Sequence, residues 1–104
     1  QHMPPTFTAI LANHIARLGP LPCAEAHDDE SLLPGRIYVA PGDRHLLVTR
    51  REQGFAARLS TAPPVNFCRP AVDPMLESAA AAADGRVLVA MLTGMGHDGL
   101  AGTE

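Results

Sequence analysis

Apolar residues recur at helical spacing along the first stretch of the chain. Phe7, Ile10, Leu11, Ile15 and Leu18 fall on one stripe, with Asn13 and Arg17 off it, the pattern of an amphipathic helix. Pro4-Pro5 cannot sit inside a helix but can open one, Thr6 is the expected N-cap, and Gly19-Pro20 is a stop signal. A helix is therefore expected over 4–18. Short β-type runs follow at 21–26, 36–40, 45–49 and 55–60, with the turns Pro34-Gly35 and Pro41-Gly42-Asp43 between them. Residues 50–54 have the length and the glycine of a hairpin loop. A proline-stiffened loop over 61–70 leads to a second helix starting near Asp73-Pro74 and carrying the alanine run 79–83. Asp84-Gly85 ends it, and the run 86–92, apolar after Arg86, is expected to be a strand buried on both faces.

Helices, mixed strands and an apolar strand running into a glycine loop predict an α/β fold. More specifically, they suggest part of a doubly wound, mostly parallel sheet with a β-hairpin insertion. In such sheets, sites lie outside the carboxyl ends of the parallel strands. That directs attention to the loop TGMGHDG at 93–99, with three glycines in seven residues. Its backbone N–H groups suit an anion or oxyanion, and Asp98 within it suits the orientation of a histidine. The loop lacks the Lys-Ser/Thr of a phosphate loop and is not GxGxxG. The plainer alternative is a glycine-rich turn capped by aspartate.

Composition narrows the chemistry. The chain has 104 residues, 46% of them hydrophobic but only 4% aromatic, so the core is built mainly from Ala, Leu and Val. The net charge of -3 comes from interspersed acids and bases, and no basic cluster marks a nucleic-acid footprint. No apolar run is long enough for membrane insertion and no stretch of these residues reads as a signal peptide, so a cytoplasmic location is the expectation. Cys23 and Cys68 stand at no metal spacing and are expected to be free, buried thiols in a reducing compartment. The acidic turn 27–30 is expected to be a solvated charge run, since adjacent residues on a turn rarely converge on one ion. Ser31, Ser60 and Ser78 stand in no nucleophile-type turn.

Four segments in order resemble the catalytic domain of chemotaxis protein-glutamate methylesterases: QHMPPTFT at 1–8, LPGRIYVAPGDRH at 33–45, PPVNFCRPAVD at 63–73 and LTGMGHDGLAG at 92–102. The resemblance implies hydrolysis of glutamate methyl esters on methyl-accepting chemoreceptors, and deamidation of certain glutamines, by a Ser-His-Asp mechanism without a cofactor or metal. It maps the general base to His2, the orienting carboxylate to Asp98 and the oxyanion-hole amide to Met95. The family's nucleophilic serine lies in a glycine-rich turn upstream of the QHMP block. Residues 1–104 are accordingly expected to be a partial catalytic domain. The N-terminal strand–helix–strand with the nucleophile, and the C-terminal end, are expected to lie outside it. Alone it is expected to be inactive. Many members also carry a phosphorylatable receiver domain. Two other readings are weighed: a catalytically inactive regulatory or binding module of the same fold, and a metal-dependent hydrolase using His2, His97 and Asp98.

Overall fold

The computed structural model of the chain describes residues 3–91. Helix α1 (Pro5–Leu18) begins with Pro4 as N-cap and proline at the first helical position. There the missing N–H is no loss and the fixed φ is already helical. Thr6, the expected cap, lies inside the helix instead. The helix packs on a parallel pair formed by β1 (Cys23–Glu25) and β3 (Ile37–Val39), in register Cys23 to Ile37 and Glu25 to Val39. Ala12, Cys23 and Val39 are buried between them, with Leu11, Ile15 and Ala16 packed alongside.

The buried face of α1 is rotated from the one expected. Thr8 and Ala12 are its buried residues, while Phe7, Ile10 and Leu18 are exposed. Leu11 and Ile15 of the expected stripe do pack inward, so the buried face overlaps the expected one and is turned from it toward Thr8 and Ala12. The parallel pair meets a face centred on Thr8 and Ala12 and flanked by Leu11, Ile15 and Ala16, and the small central side chains let the helix backbone approach the strands closely.

The antiparallel sheet has the order β2-β5-β4. Strands β4 (His45–Arg51) and β5 (Gly54–Ser60) form the expected hairpin, and β2 (Ser31–Leu32), which the sequence did not announce, pairs with β5. Ala26, Ala40, Leu46 and Ala57 form the second core cluster, with Leu32, Tyr38, Leu59 and Met75 packed around it. Helix α2 (Val72–Ala82) lies on β4. The Ser78 hydroxyl joins them, accepting from the Val48 N–H at 2.9 Å while donating to the Met75 carbonyl at 2.9 Å. The helix ends where expected: Asp84 is left-handed (φ 53°) and the Gly85 N–H reaches back to Ala80 O at 2.8 Å.

One expectation is corrected. Residues 86–91 form no strand, and Leu88 is 98% exposed. A strand needs a neighbour for its N–H and C=O groups. Among the described residues neither sheet pairs with this run. The chain turns instead, with the Arg86 N–H on Ala83 O and the Val87 N–H on Gly85 O.

Candidate functional site

His2, Met95, His97 and Asp98 lie outside the described residues. The described residues do show how the first three sequence blocks assemble. They converge on the loop Pro41-Gly42-Asp43, which leaves the carboxyl end of the parallel pair.

On one side the loop meets the start of α1. A Cβ at position 42 would sit 2.6 Å from Pro5 Cα and 2.7 Å from the Pro4 carbonyl carbon. Only glycine allows this backbone-to-backbone contact. The Gly42 N–H donates to Thr8 Oγ1 at 3.1 Å, and that hydroxyl donates to Glu25 Oε2 at 2.5 Å, the length of a charge-assisted bond. The Pro5 carbonyl stands 3.0 Å from the same oxygen. Thr8 is 0% exposed.

On its other side the loop meets the block 63–73. The Arg69 Nε and Nη2 atoms both donate to Asp43 Oδ1, at 3.1 and 2.7 Å, and the Asp43 N–H donates to the Arg69 carbonyl at 3.1 Å. Arg69 Nη1 also donates to the Thr61 carbonyl at 2.9 Å, which ties down the extended stretch before it. Asp43 adopts φ 65°, a conformation that aspartate tolerates better than most residues.

His45 adds a further tie. It is 2% exposed, and both ring nitrogens are occupied. Nδ1 accepts from the Ala71 N–H at 3.2 Å, so Nε2 carries the hydrogen and donates to the Pro63 carbonyl at 3.0 Å. With both nitrogens committed to backbone, His45 is a strut rather than a proton-transfer group. The tip of the 63–73 block is a two-residue turn closed by Val65 and Cys68, with Asn66 (φ 52°) and Phe67 (φ 65°) both left-handed. Asn66 Nδ2 donates to Asp73 Oδ2 at 2.9 Å, so Asp73 holds this turn from the first turn of α2.

Several other polar and reactive groups are engaged elsewhere. Asp28 accepts from the Leu59 N–H at 2.9 Å and pairs with Arg58, Asp29 pairs with Arg51, and Glu30 accepts from the His27 N–H at 2.9 Å. Both cysteines are free; Cys23 is buried as expected, whereas Cys68 is only half-buried. A cavity of about 160 Å³ between Tyr38, Leu46, Pro70 and Met75 is mainly apolar. The hydroxyl of Tyr38, one of its lining residues, accepts from the Leu33 N–H at 2.9 Å.

The sequence model of the CheB methylesterase family matches residues 1–104, the whole chain. The chain belongs to that family. It is 53% identical over 104 residues to a protein-glutamate methylesterase/protein-glutamine glutaminase of Maricaulis maris, covering 100% of this chain and 26% of that protein. A protein of the same name from Azospirillum brasilense is 56% identical over 103 residues, covering 98% of this chain and 26% of that one. The crystal structure of the Thermotoga maritima CheB methylesterase catalytic domain superposes with a TM-score of 0.93 at 40% identity, over 98% of this chain and 54% of that one. The α/β fold is thus that of the CheB catalytic domain. The chain spans about a quarter of the length of these curated relatives and about half of that domain. The roles of Thr8, Glu25, Gly42 and His45 were not legible beforehand. Each depends on a partner at least 17 positions away in the sequence.

Proposed function

We propose that the chain is the base-bearing part of a protein-glutamate methylesterase. It hydrolyses glutamate methyl esters, and deamidates certain glutamines, on methyl-accepting chemoreceptors in the cytoplasm. His2 is the general base, Asp98 fixes its tautomer, the Met95 N–H stabilises the oxyanion, and the serine nucleophile lies outside these 104 residues. His2 takes the serine proton as the oxygen attacks the ester carbonyl, and it returns that proton to the departing methoxide, releasing methanol. Water, activated by the same imidazole, then opens the acyl-enzyme and frees the glutamate carboxylate. With glutamine the leaving group is ammonia. The mechanism calls for no metal or cofactor.

The observation that carries this reading is the convergence of three family blocks on the loop 41–43, through Gly42 with Thr8 and Asp43 with Arg69. Such mutual bracing fits a rigid support for a base that must be held to within about 0.5 Å of its working geometry. Two of the described serines are engaged in local structure. Ser78 is committed to Val48 and Met75, and the Ser60 Oγ accepts from the Ala62 N–H at 3.1 Å. The length of the relatives leaves room for the rest of the catalytic domain and for a receiver domain. Among the described residues no helix is long and apolar enough to cross a membrane.

The test is methanol release from methyl-esterified chemoreceptor by the full-length protein. His2→Ala and Asp98→Asn are each expected to lower kcat by about a thousandfold or more. Undiminished turnover by His2→Ala would overturn the assignment.

A further inference from the structure

We propose that Thr8 is a positioning residue for the general base. With Glu25 and Gly42 it forms a buried latch that fixes the start of α1 at Pro5, three positions after His2. This rests on the reading of His2 as the base.

A threonine hydroxyl has one hydrogen to give and two lone pairs to receive with. Thr8 uses both capacities between different elements: it receives from the loop after β3 and donates to the last residue of β1, at 3.1 and 2.5 Å. The helix, the strand pair and the loop are thereby joined at one wholly buried oxygen. The joint lies beyond the carboxyl ends of β1 and β3, since Glu25 closes β1 and Gly42 follows Val39 by three positions. That is the edge at which a site is expected in an α/β sheet.

The surroundings make the latch stiff. Pro4 and Pro5 have φ set by their rings, and the Gly42 backbone abuts both of them. The first turn of α1 therefore has little freedom to tilt while the hydroxyl keeps its partners. Without the hydroxyl, the Gly42 N–H and the Glu25 carboxylate lose a buried partner. The loop and the helix start can then separate. A small displacement here is passed to His2 through Met3 and Pro4, and misplacement of a base by about 1 Å can cost a hundredfold in rate.

A merely structural threonine predicts something different, and a double-mutant cycle separates the two. In the full-length protein, Thr8→Val, which keeps the shape, is expected to lower kcat by about tenfold or more with KM changed less than about twofold. Thr8→Ser, which keeps the hydroxyl, should recover most of that loss. Glu25→Gln, which leaves a neutral acceptor, should lie between. In a His2→Ala background, Thr8→Val should cost nothing further, because its effect runs through the imidazole. An equal loss from Thr8→Val with and without His2 would overturn the proposal while leaving His2 as base. Full activity in His2→Ala would overturn the base assignment itself. Should Thr8→Val not fold, the Glu25→Gln cycle with His2→Ala gives the same decision.

Discussion

The imidazole of His45 stands between two backbone groups, taking the Ala71 N–H on Nδ1 at 3.2 Å and giving its own N–H to the Pro63 carbonyl at 3.0 Å. A single side chain on β4 thus fixes both ends of the loop that leads into α2. His45→Ala removes both bonds and leaves a hole at a 2% exposed position. The expected cost is about 3 kcal/mol, from unsatisfied backbone groups plus lost packing. Urea unfolding of the full-length protein checks it; a change below about 0.5 kcal/mol would contradict the strut role.

Asp43 combines an ion pair with a left-handed backbone, and substitutions can separate the two. Its carboxylate is largely exposed, so the pair with Arg69 contributes only about 0.2–1 kcal/mol after solvent screening. A side chain without local hydrogen bonding in the left-handed region costs about 1 kcal/mol more. Asp43→Ala should therefore be less stable than Asp43→Gly, which loses the ion pair alone. Thermal unfolding of the two variants gives the order, and equal stability would remove the backbone contribution.

Phe67 is 103% exposed in a left-handed conformation, at the second position of a turn that suits Asn-Gly. Phe67→Gly is expected to raise stability by about 1 kcal/mol, because strain is relieved and no packing is lost. A loss of stability on urea unfolding would mean that the ring is packed in solution.

Gly42→Ala is expected to be costly for the opposite reason. The added methyl meets backbone, not a side chain that can swing away, so the loop must leave Pro4 and Pro5. Destabilisation of about 2–3 kcal/mol is the expectation from overpacking a tight contact. Turnover should fall along with stability, and a variant that keeps wild-type values of both would show that the contact has slack.

The exposed apolar surface makes a further prediction about the 104 residues on their own. Phe7, Ile10 and Leu18 on α1, together with Val87, Leu88 and Met91, present apolar side chains to solvent. The matched catalytic domain is nearly twice as long as this chain. We propose that its remaining part covers these residues and gives 86–91 a strand neighbour. The isolated chain should then self-associate, and extension to the full domain should add several kcal/mol of stability, on the order of a few buried aliphatic side chains. Sedimentation and urea unfolding of both lengths test this. An isolated chain that is monomeric and no less stable would contradict it.

Local signals made much of the fold legible. Proline placement located the start of α1, Asp84-Gly85 located the end of α2, and two β-type runs on either side of a short glycine-bearing loop located the β4–β5 hairpin. What failed depended on distant partners. The run 86–92 has the composition of a central strand, but a strand exists only against a neighbour, and none is present among the described residues. The stripe on α1 held in part: Leu11 and Ile15 pack inward, while the docking of β1 and β3 buries Thr8 and Ala12 and leaves Phe7, Ile10 and Leu18 exposed. Strand β2, at two residues, is too short to carry a periodicity. The site residues His2, Asp98 and Met95 came from motif resemblance. Thr8 had no signal beyond a polar side chain, one of two threonines in the first turn of α1.

The most direct measurement is the location of a serine-directed adduct. The full-length protein is incubated with a fluorophosphonate, digested, and the modified peptide identified by mass spectrometry. The account predicts one stoichiometric adduct on a serine outside these 104 residues, lost in His2→Ala. An adduct on Ser31, Ser60 or Ser78 that titrates with loss of ester turnover would contradict it.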